Sequence, residues 1–453
     1  WLNIGPTKAD VIKNGGTSLA KTDSGRPRSI VIDPNNSQVI YLCTAGGGVW
    51  KTTNGGTSWP PITDTLGSLS CGFLAMDPSN SQVLYLGLGD PFDGTGIGLV
   101  KSTDGGATWG SVLTLGNSTN IQSILVHPTN PNTVMVATDA GLFRSTNAGG
   151  SFTAVASITA TWKVWDLVHA AGSAFVLSAE TDPANATGAT AGKVYRSADD
   201  GATWTASTGI AAAVTRISVN SAPSNRAVLY AMASNSSNQL SALYKSTNGG
   251  STWSTISSTG ITDILNGQGF YNHLILVDRT NPDVAYLGGA LYLAKSTTGG
   301  TSWTKKSDWL AQGGLPYVHA DMHCAAQDAA GVIYAGSDGG IFKSTDGGTT
   351  WSDTLNIGIT SHLIYSIGSS PAAPDAVIGG FQDNGTRVRK TTTTTYDQQI
   401  GGDGFGSLMH PATSGTMLGS LYYTRIYKST NGGTTFASAS SGITESNNNT
   451  TAP

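Results

Sequence analysis

The chain has 453 residues, 11% of them charged and 38% apolar, with 59 glycines and a formal net charge of −4. So sparse and slightly acidic a charge set offers no basic stripe for a phosphate backbone, which argues against nucleic acid as a partner. No apolar run approaches the roughly 20 residues that a membrane-crossing helix needs, and the Gly, Ser, Thr and Asn background around an adequate apolar fraction points to a folded, all-β chain.

In chain order, "WLNIGP" (residues 1–6) reads as an outer strand separated from the unit it completes, expected to close a ring of units. The chain opens on Trp1 with neither Met nor an apolar leader, the expectation for a processed N-terminus. From there one octapeptide, Ser/Thr-x-Asp/Asn-x-Gly-x-x-Trp/Phe, organises the sequence. It begins at Thr52, Ser102, Ser145, Ser197, Ser246, Ser296, Ser344 and Ser429. The first seven copies lie 43 to 52 residues apart, and the last follows a gap of 85 that holds one unmarked unit. A repeat of this period is the mark of a modular β architecture. Each copy follows two apolar runs and a short third one, as in "VIYLCTAG" then "GVWK", so each unit reads as strands A, B, C, a turn made by the octapeptide, and strand D. The A strands are predicted to start near Arg28, Gly72, Ile121, Val164, Thr215, His273, His319, Leu363 and Gly404. That makes about nine units. The chain end, "GITESNNNTTAP", reads as a linker into another unit. Residues 1–453 are therefore read as a single ring, the alternative being units shared between two rings with a C-terminal remainder missing.

The octapeptide has its own chemistry. Its third residue is suited to accept hydrogen bonds from turn amides, its fifth supplies a positive φ, and its aromatic fills the layer between neighbouring sheets. These residues resemble the Asp-box, or bacterial neuraminidase repeat, over nearly the whole chain. The resemblance implies a β-propeller of four-stranded blades with Asp-box turns, whose D-to-A and B-to-C loops share one mouth of the central channel while the boxes lie at the other end. "GRPRSIVIDPNNSQVIYLCTAGGGVWKTTNGGTSW" is similar to blades of xyloglucan-cleaving hydrolases and of sortilin-type receptors. In the former an Asp is expected where "TAGGG" carries Ala45. A sialidase site fails on residues, since no Tyr and Glu nucleophile pair accompanies Arg26, Arg28 and Arg216. The closer resemblance is to secreted bacterial Asp-box proteins described as glycosyl hydrolase-like, which implies export. If exported, Cys43 and Cys71 are placed for a disulfide, with Cys324 free and buried.

Five polar segments map to the mouth loops: "GQGFYNH", "HADMH", "GSDGG", "GGFQDNGT" and "GGDGF". On a strand, His319, Asp321 and His323 would face one side with the outer pair about 13 Å apart, too far for one ion to hold both histidines. A metal is read as held by Asp321 with one histidine, His323, completed by Asp338, Asp383 or Asp403. Calcium, zinc and manganese are the candidate ions. A metal-free polar channel reads equally well. Asp321, Asp383 and Asp403 are the candidate catalytic carboxylates for glycoside cleavage, which needs an acid and a base or nucleophile at fixed separation. His319, His323, Gln268, Tyr271 and Asn384 are candidate ligand-binding residues, and Trp162, Trp165 and Trp309 are candidate platforms for sugar rings. The expectation is a secreted or cell-surface propeller that binds a polysaccharide or glycan at the channel mouth, with hydrolysis by paired aspartates left open. The alternative is a non-catalytic adhesion or structural surface protein, or an assembly subunit with surface-protein partners.

Overall fold

The computed structural model describes residues 5–13, 17–181, 192–390 and 393–444. Nine sheets, antiparallel except for one parallel pairing in the eighth, follow one another along these residues, and one connection, between the seventh and the eighth, holds a short 3-10 turn at Thr354–Asn356. Their first strands begin at Pro27, Cys71, Ile121, Lys163, Ile217, Leu274, Met322, Ile364 and Ser407, each within three residues of its predicted start. The fourth strand is short in every sheet but the eighth, where it is Thr395–Ile400. In the first, second and seventh sheets it shrinks to single bridges, Trp50 with Pro61, Leu99 with Leu113 and Lys343 with Ser352. In the first of these, prolines 60 and 61 remove the amide donors that a longer pairing needs.

The residues form two compact units, Pro27–Ser337 with Phe342–Ser352, and Trp1–Arg26 with Asp338–Ile341 and Asp353–Pro453. In the larger unit the A strands of successive sheets pack side by side, and that of the seventh, Met322–Gln327, packs against that of the first, Pro27–Asp33. Between sheets lie apolar layers. Tyr230 and Met232 of the fifth sheet meet Ile275, Val277 and Leu287 of the sixth around the octapeptide Trp303. The architecture is that of a β-propeller.

The octapeptide turns show why the repeat is spaced and spelled as it is. The first hydroxyl of each copy is buried. It accepts the amide of the fifth residue, at 2.9 Å for Gly56, Gly106, Gly149 and Gly201, 3.0 Å for Gly250, Gly300 and Gly433, and 2.8 Å for Gly348. That glycine has a positive φ in all eight copies, a conformation cheap only without a Cβ. The third residue accepts the amide of the seventh, as in Ser58 to Asn54 and Thr108 to Asp104. The finished turn then presents a carbonyl to the preceding sheet. Tyr41 and Lys51 both donate to Gly105, Tyr85 and Lys101 to Ala148, and Tyr286 and Lys295 to Gly347.

The smaller unit differs from the sequence expectation at its start. Of the closing strand expected at residues 1–6, residues 1–4 lie outside the described residues, as do residues 445–453 of the expected linker. Instead a hairpin, Lys8–Lys13 with Thr17–Asp23, extends the eighth sheet beyond its fourth strand, Lys8–Lys13 pairing in parallel with Thr395–Ile400. Arg387, fully buried, fixes it by donating to the Asp23 carboxylate and to the Asp10 and Asn384 carbonyls, while His362 lies 3.2 Å from the same Asp23 carboxylate.

Replacing one buried hydroxyl tests the turn: Ser246→Ala strands the Gly250 amide and should cost about 1–3 kcal/mol in denaturant unfolding. Acid should act through Asp104, Asp199 and Asp346, each held down at about 2. Thr108 and Thr350 donors dominate for Asp104 and Asp346, and for Asp199 the Thr203 donors outweigh burial. Folded values below the unfolded value of about 3.9 mean that this stabilisation is present above about pH 4 and is lost as pH falls toward about 2. Over that interval the melting temperature of the wild type should fall more steeply than that of an Asp104→Asn, Asp199→Asn, Asp346→Asn variant.

Candidate functional site

In the larger unit the A strands and the residues just before them enclose a cavity of about 260 Å³. All seven sheets contribute: Arg28; Phe73; Gln122 and Ser123; Trp165 and Asp166; Arg216, Ser218 and Asn220; His273; and His323. Two arginines are buried in the wall. Arg28 pairs with Asp90 at 3.2 Å and reaches the His323 ring nitrogen at 3.3 Å. Arg216 donates to the Phe270 and Tyr271 carbonyls at 2.9 and 2.8 Å and lies 4.0 Å over the Trp165 ring, over which Lys163 also sits, at 3.9 Å. Such cation–ring contacts are strengthened by exclusion of water.

Burial sets the protonation here. It pulls Lys163 down to about 8, helped by Arg216 and Arg28 and opposed by Glu180. It lowers Arg216 to about 10, and with Arg216 it pushes His273 well below its usual range, keeping the imidazole neutral. It raises the Asp166 carboxyl against the pull of Arg216 and of the Val219 amide. Both amide atoms of Gln122 and the Nε of Arg216 are buried and close no hydrogen bond. A buried polar atom left this way costs about 1–3 kcal/mol.

The sequence candidates fall into three groups. His323 and Tyr271 join the cavity rim, their rings edge-on at 4.7 Å with Phe92 beside both. Gln268 and Asp321 meet through Asn272, whose amide donates to both, at 2.8 and 2.6 Å. Here the strand expectation needs correction. The A strand begins at Met322, and Asp321 precedes it with φ +61°, so His319, Asp321 and His323 do not share one strand face. His319 instead packs edge-on to Tyr317 at 6.4 Å. Among the described residues no cluster of three ligating side chains includes His323. Of the three tryptophans, Trp165 is buried with its Nε1 bonded to Glu180 and its ring occupied by cations. Trp162 is half-buried against Tyr195, and only Trp309 offers an exposed ring, at 36%. Cys43, Cys71 and Cys324 are free thiols, the first two buried together between adjacent sheets.

The third group lies in the smaller unit. Asp383 and Asn384 are on a B-to-C loop, Asp403 on a D-to-A loop and Asp338 beside them. The Asp383 amide donates to Asp403 Oδ1 at 2.6 Å, Asn384 Nδ2 donates to the Asp338 carbonyl at 2.9 Å, and carboxylate oxygens of Asp338 and Asp383 come within 4.8 Å. Arg26 lies 3.9 Å from the Asp338 carboxylate. Burial raises the Asp403 carboxyl above the usual carboxylate range, with Asp338 adding to it and the Asp383 amide opposing. The glycines of "GGFQDNGT" and "GGDGF" make the approach possible. A Cβ on Gly380 would stand 2.2 Å from the Gly404 and Phe405 carbonyls, and one on Gly404 2.4 Å from that of Gly385. Asp383 itself has φ +57°, a conformation that Asp tolerates better than most residues. Asp338 and Asp383 are the pair in this unit that would share a cation.

Sequence reasoning missed Gln122, Asp166 and His273 as cavity residues and noted Arg28 and Arg216 only in passing. The available signal was their common place at the head of an A strand.

No family model matches the chain. A xyloglucanase of Hypocrea jecorina (strain QM6a) is 29% identical over 208 residues, which are 45% of this chain and 23% of that enzyme. The chain thus spans under a quarter of that relative's length. Among solved structures, the Niastella koreensis GH74 enzyme aligns with TM-score 0.62 at 18% identity, over 96% of this chain and 73% of that one. An ancestral GH74 enzyme aligns at 0.68 and 18%, over 92% and 62%, and the GH74 xyloglucanase from Xanthomonas campestris at 0.58 and 16%, over 93% and 80%. The architecture shared with these structures is the β-propeller.

Lys163 offers a test of the cavity's electrostatics. Its folded value of about 8 lies below the unfolded value of about 10.4, so the unfolded chain binds more protons between them and stability from this group rises over that interval. Lys163→Met should therefore raise the melting temperature at pH 7 and lose that advantage by about pH 10.

Proposed function

We propose that this chain is a glycan-acting propeller in which Asp403 serves as general acid and Asp383 or Asp338 as base or nucleophile for cleavage of a β-glucan such as xyloglucan. The observation that carries this reading is the meeting of three carboxylates, Asp338, Asp383 and Asp403, on three glycine-containing loops of the smaller unit, the last of them raised by burial. Two carboxyl groups with separated protonation behaviour are what glycoside hydrolysis requires. The xyloglucanase match supports the substrate class. In the same reading the octapeptide is the Asp-box, the larger unit is a closed seven-bladed ring, and the remaining sheets belong to a second. The protein acts outside the cell or at its surface, in keeping with its low charge and polar-neutral composition.

A second reading, a non-catalytic surface or assembly protein, is favoured by one feature. Ile364, Tyr365, Ile367 and Leu408, on the first strands of the two sheets of the smaller unit, are 50–64% exposed, an apolar face of the kind that partners cover.

Reducing-end release from a panel of plant and microbial polysaccharides separates the two. Asp403→Asn and Asp383→Asn should each lower turnover on the order of 10²–10⁴-fold while leaving the melting temperature nearly unchanged. Wild-type turnover should decline as pH rises through the raised Asp403 value and strips its proton. A wild-type protein that cleaves nothing in the panel leaves the non-catalytic reading in place.

A further inference from the structure

One connection of the larger unit is unlike its counterparts. Between the second and third strands of the second sheet, Asn80–Leu88 and Leu99–Ser102, the chain runs through residues 89–98, whereas the first, third, fifth, sixth and seventh sheets use only residues 45–47, 139–140, 235–239, 289–292 and 338–339. Length beyond what a connection requires is characteristic of binding loops and lids. The neck of this loop is pinched. The Gly89 amide donates to the Ser70 carbonyl at 2.8 Å and the Gly96 amide to the Thr119 carbonyl at 2.7 Å, and a Cβ on Gly96 would stand 2.1 Å from the Leu88 carbonyl. Inside the neck Asp90 is buried. Its carboxylate accepts the amides of Phe92 and Asp93 at 3.2 and 2.9 Å and meets Arg28 Nε at 3.2 Å. A compact surface loop with its ends drawn together has the form of an Ω-loop.

From this base Phe92 reaches over the A strands. Its ring lies 4.7 Å from that of Tyr271, 6.1 Å from that of Trp165 and 6.2 Å from that of His323. The Arg28 guanidinium stands 5.0 Å from the ring centre, with Arg216 and Lys163 both at 5.9 Å. These partners belong to the first, fourth, fifth, sixth and seventh sheets or to the residues just before their A strands. A side chain of the second sheet that touches five others stands over the space those strands surround. Arg28, Trp165, Arg216 and His323 also line the cavity, so the phenyl ring covers the end of the cavity that they form.

The loop is held in two different ways. Hydrogen bonds and a buried ion pair fix its base, whereas the phenyl ring is held by aromatic and cation contacts, which break without stranding a hydrogen-bond donor. Three of its six partners are cations, which water solvates once the ring leaves. We propose that loop 89–98 is a lid on this cavity and that Phe92 is its plug, moving between its seated position and an open one that admits small solutes from the mouth bearing the B-to-C loops. The device goes beyond the glycan reading and depends on no aspartate of the smaller unit.

Thiol labelling on the full chain tests the lid. Ala325 lines the cavity and is partly exposed, so a Cys324→Ala, Ala325→Cys protein carries one thiol in the cavity. Cys43 and Cys71, both fully buried, report any loss of the fold. With a small anionic methanethiosulfonate reagent and mass spectrometry as the readout, the thiol at position 325 should react slowly behind the intact loop. Phe92→Ala should speed the reaction at least about tenfold, equivalent to about 1.4 kcal/mol removed from the cost of opening. Phe92→Leu, a smaller apolar plug, should speed it at least about threefold. Cys43 and Cys71 should stay unlabelled throughout, and if Phe92→Ala exposes them, Phe92→Leu decides the matter alone. Equal rates with and without the Phe92 substitutions, or no reaction in any of these proteins, would overturn the plug. Complete protection behind the intact loop beside rapid reaction in the variants would overturn its movement.

Discussion

The structure depends on a buried hydroxyl. In each octapeptide a Ser or Thr side chain, shut away from water, accepts the amide of a glycine four residues on. Without it the turn would bury an unsatisfied donor, at a cost comparable to the whole net gain of several ordinary hydrogen bonds. The hydroxyl fixes the turn, and the turn sets the indole of the eighth residue between sheets. Trp109, Trp303 and Trp351 then reach back to the carbonyls of Ile62, Ser257 and Lys306 in the preceding sheet. Polar satisfaction and apolar packing therefore act at the same point, which explains why four copies use Asn and three use Asp in the third place: either accepts the amides that the turn must satisfy.

A rigid frame of this kind allows polar expense elsewhere. The larger unit spends it on two buried arginines, a lysine lowered by burial to about 8 and a neutral histidine around one cavity. The smaller unit spends it on carboxylates pressed together by loops that only glycine permits. Both arrangements would be unfavourable on a mobile scaffold, because unpaired groups would turn outward to water.

The fold was legible because its determinants are local. An eight-residue turn encodes itself, and A strands were placed to within a few residues from apolar runs alone. The hairpin of Lys8–Lys13 and Thr17–Asp23 was not legible, since its partner strand, Thr395–Ile400, is nearly the length of the chain away and the pairing leaves no short-range pattern. Asp321 was misplaced for a different reason. Alternation across "HADMH" mimics a strand, whereas a left-handed residue ends the preceding loop there. Asp383, Asn384 and Asp403 stood out because turn residues and glycines crowd around them. The cavity did not, because Arg28, Gln122, Arg216 and His273 each occur once in different strands, and only ring geometry makes them neighbours.

In three octapeptide turns the carbonyl of Gly105, Ala148 or Gly347 is held by a tyrosine and a lysine of the sheet before it, and in two more the carbonyl of Asp200 or Gly249 is held by an arginine there, Arg144 or Arg196. A module joined in this way carries a latch for its successor and a catch for its predecessor. A duplicated or deleted module would arrive or leave with both halves intact, so the array has a built-in polarity. Loosening one turn would free the edge of the sheet before it and leave the following junction fastened.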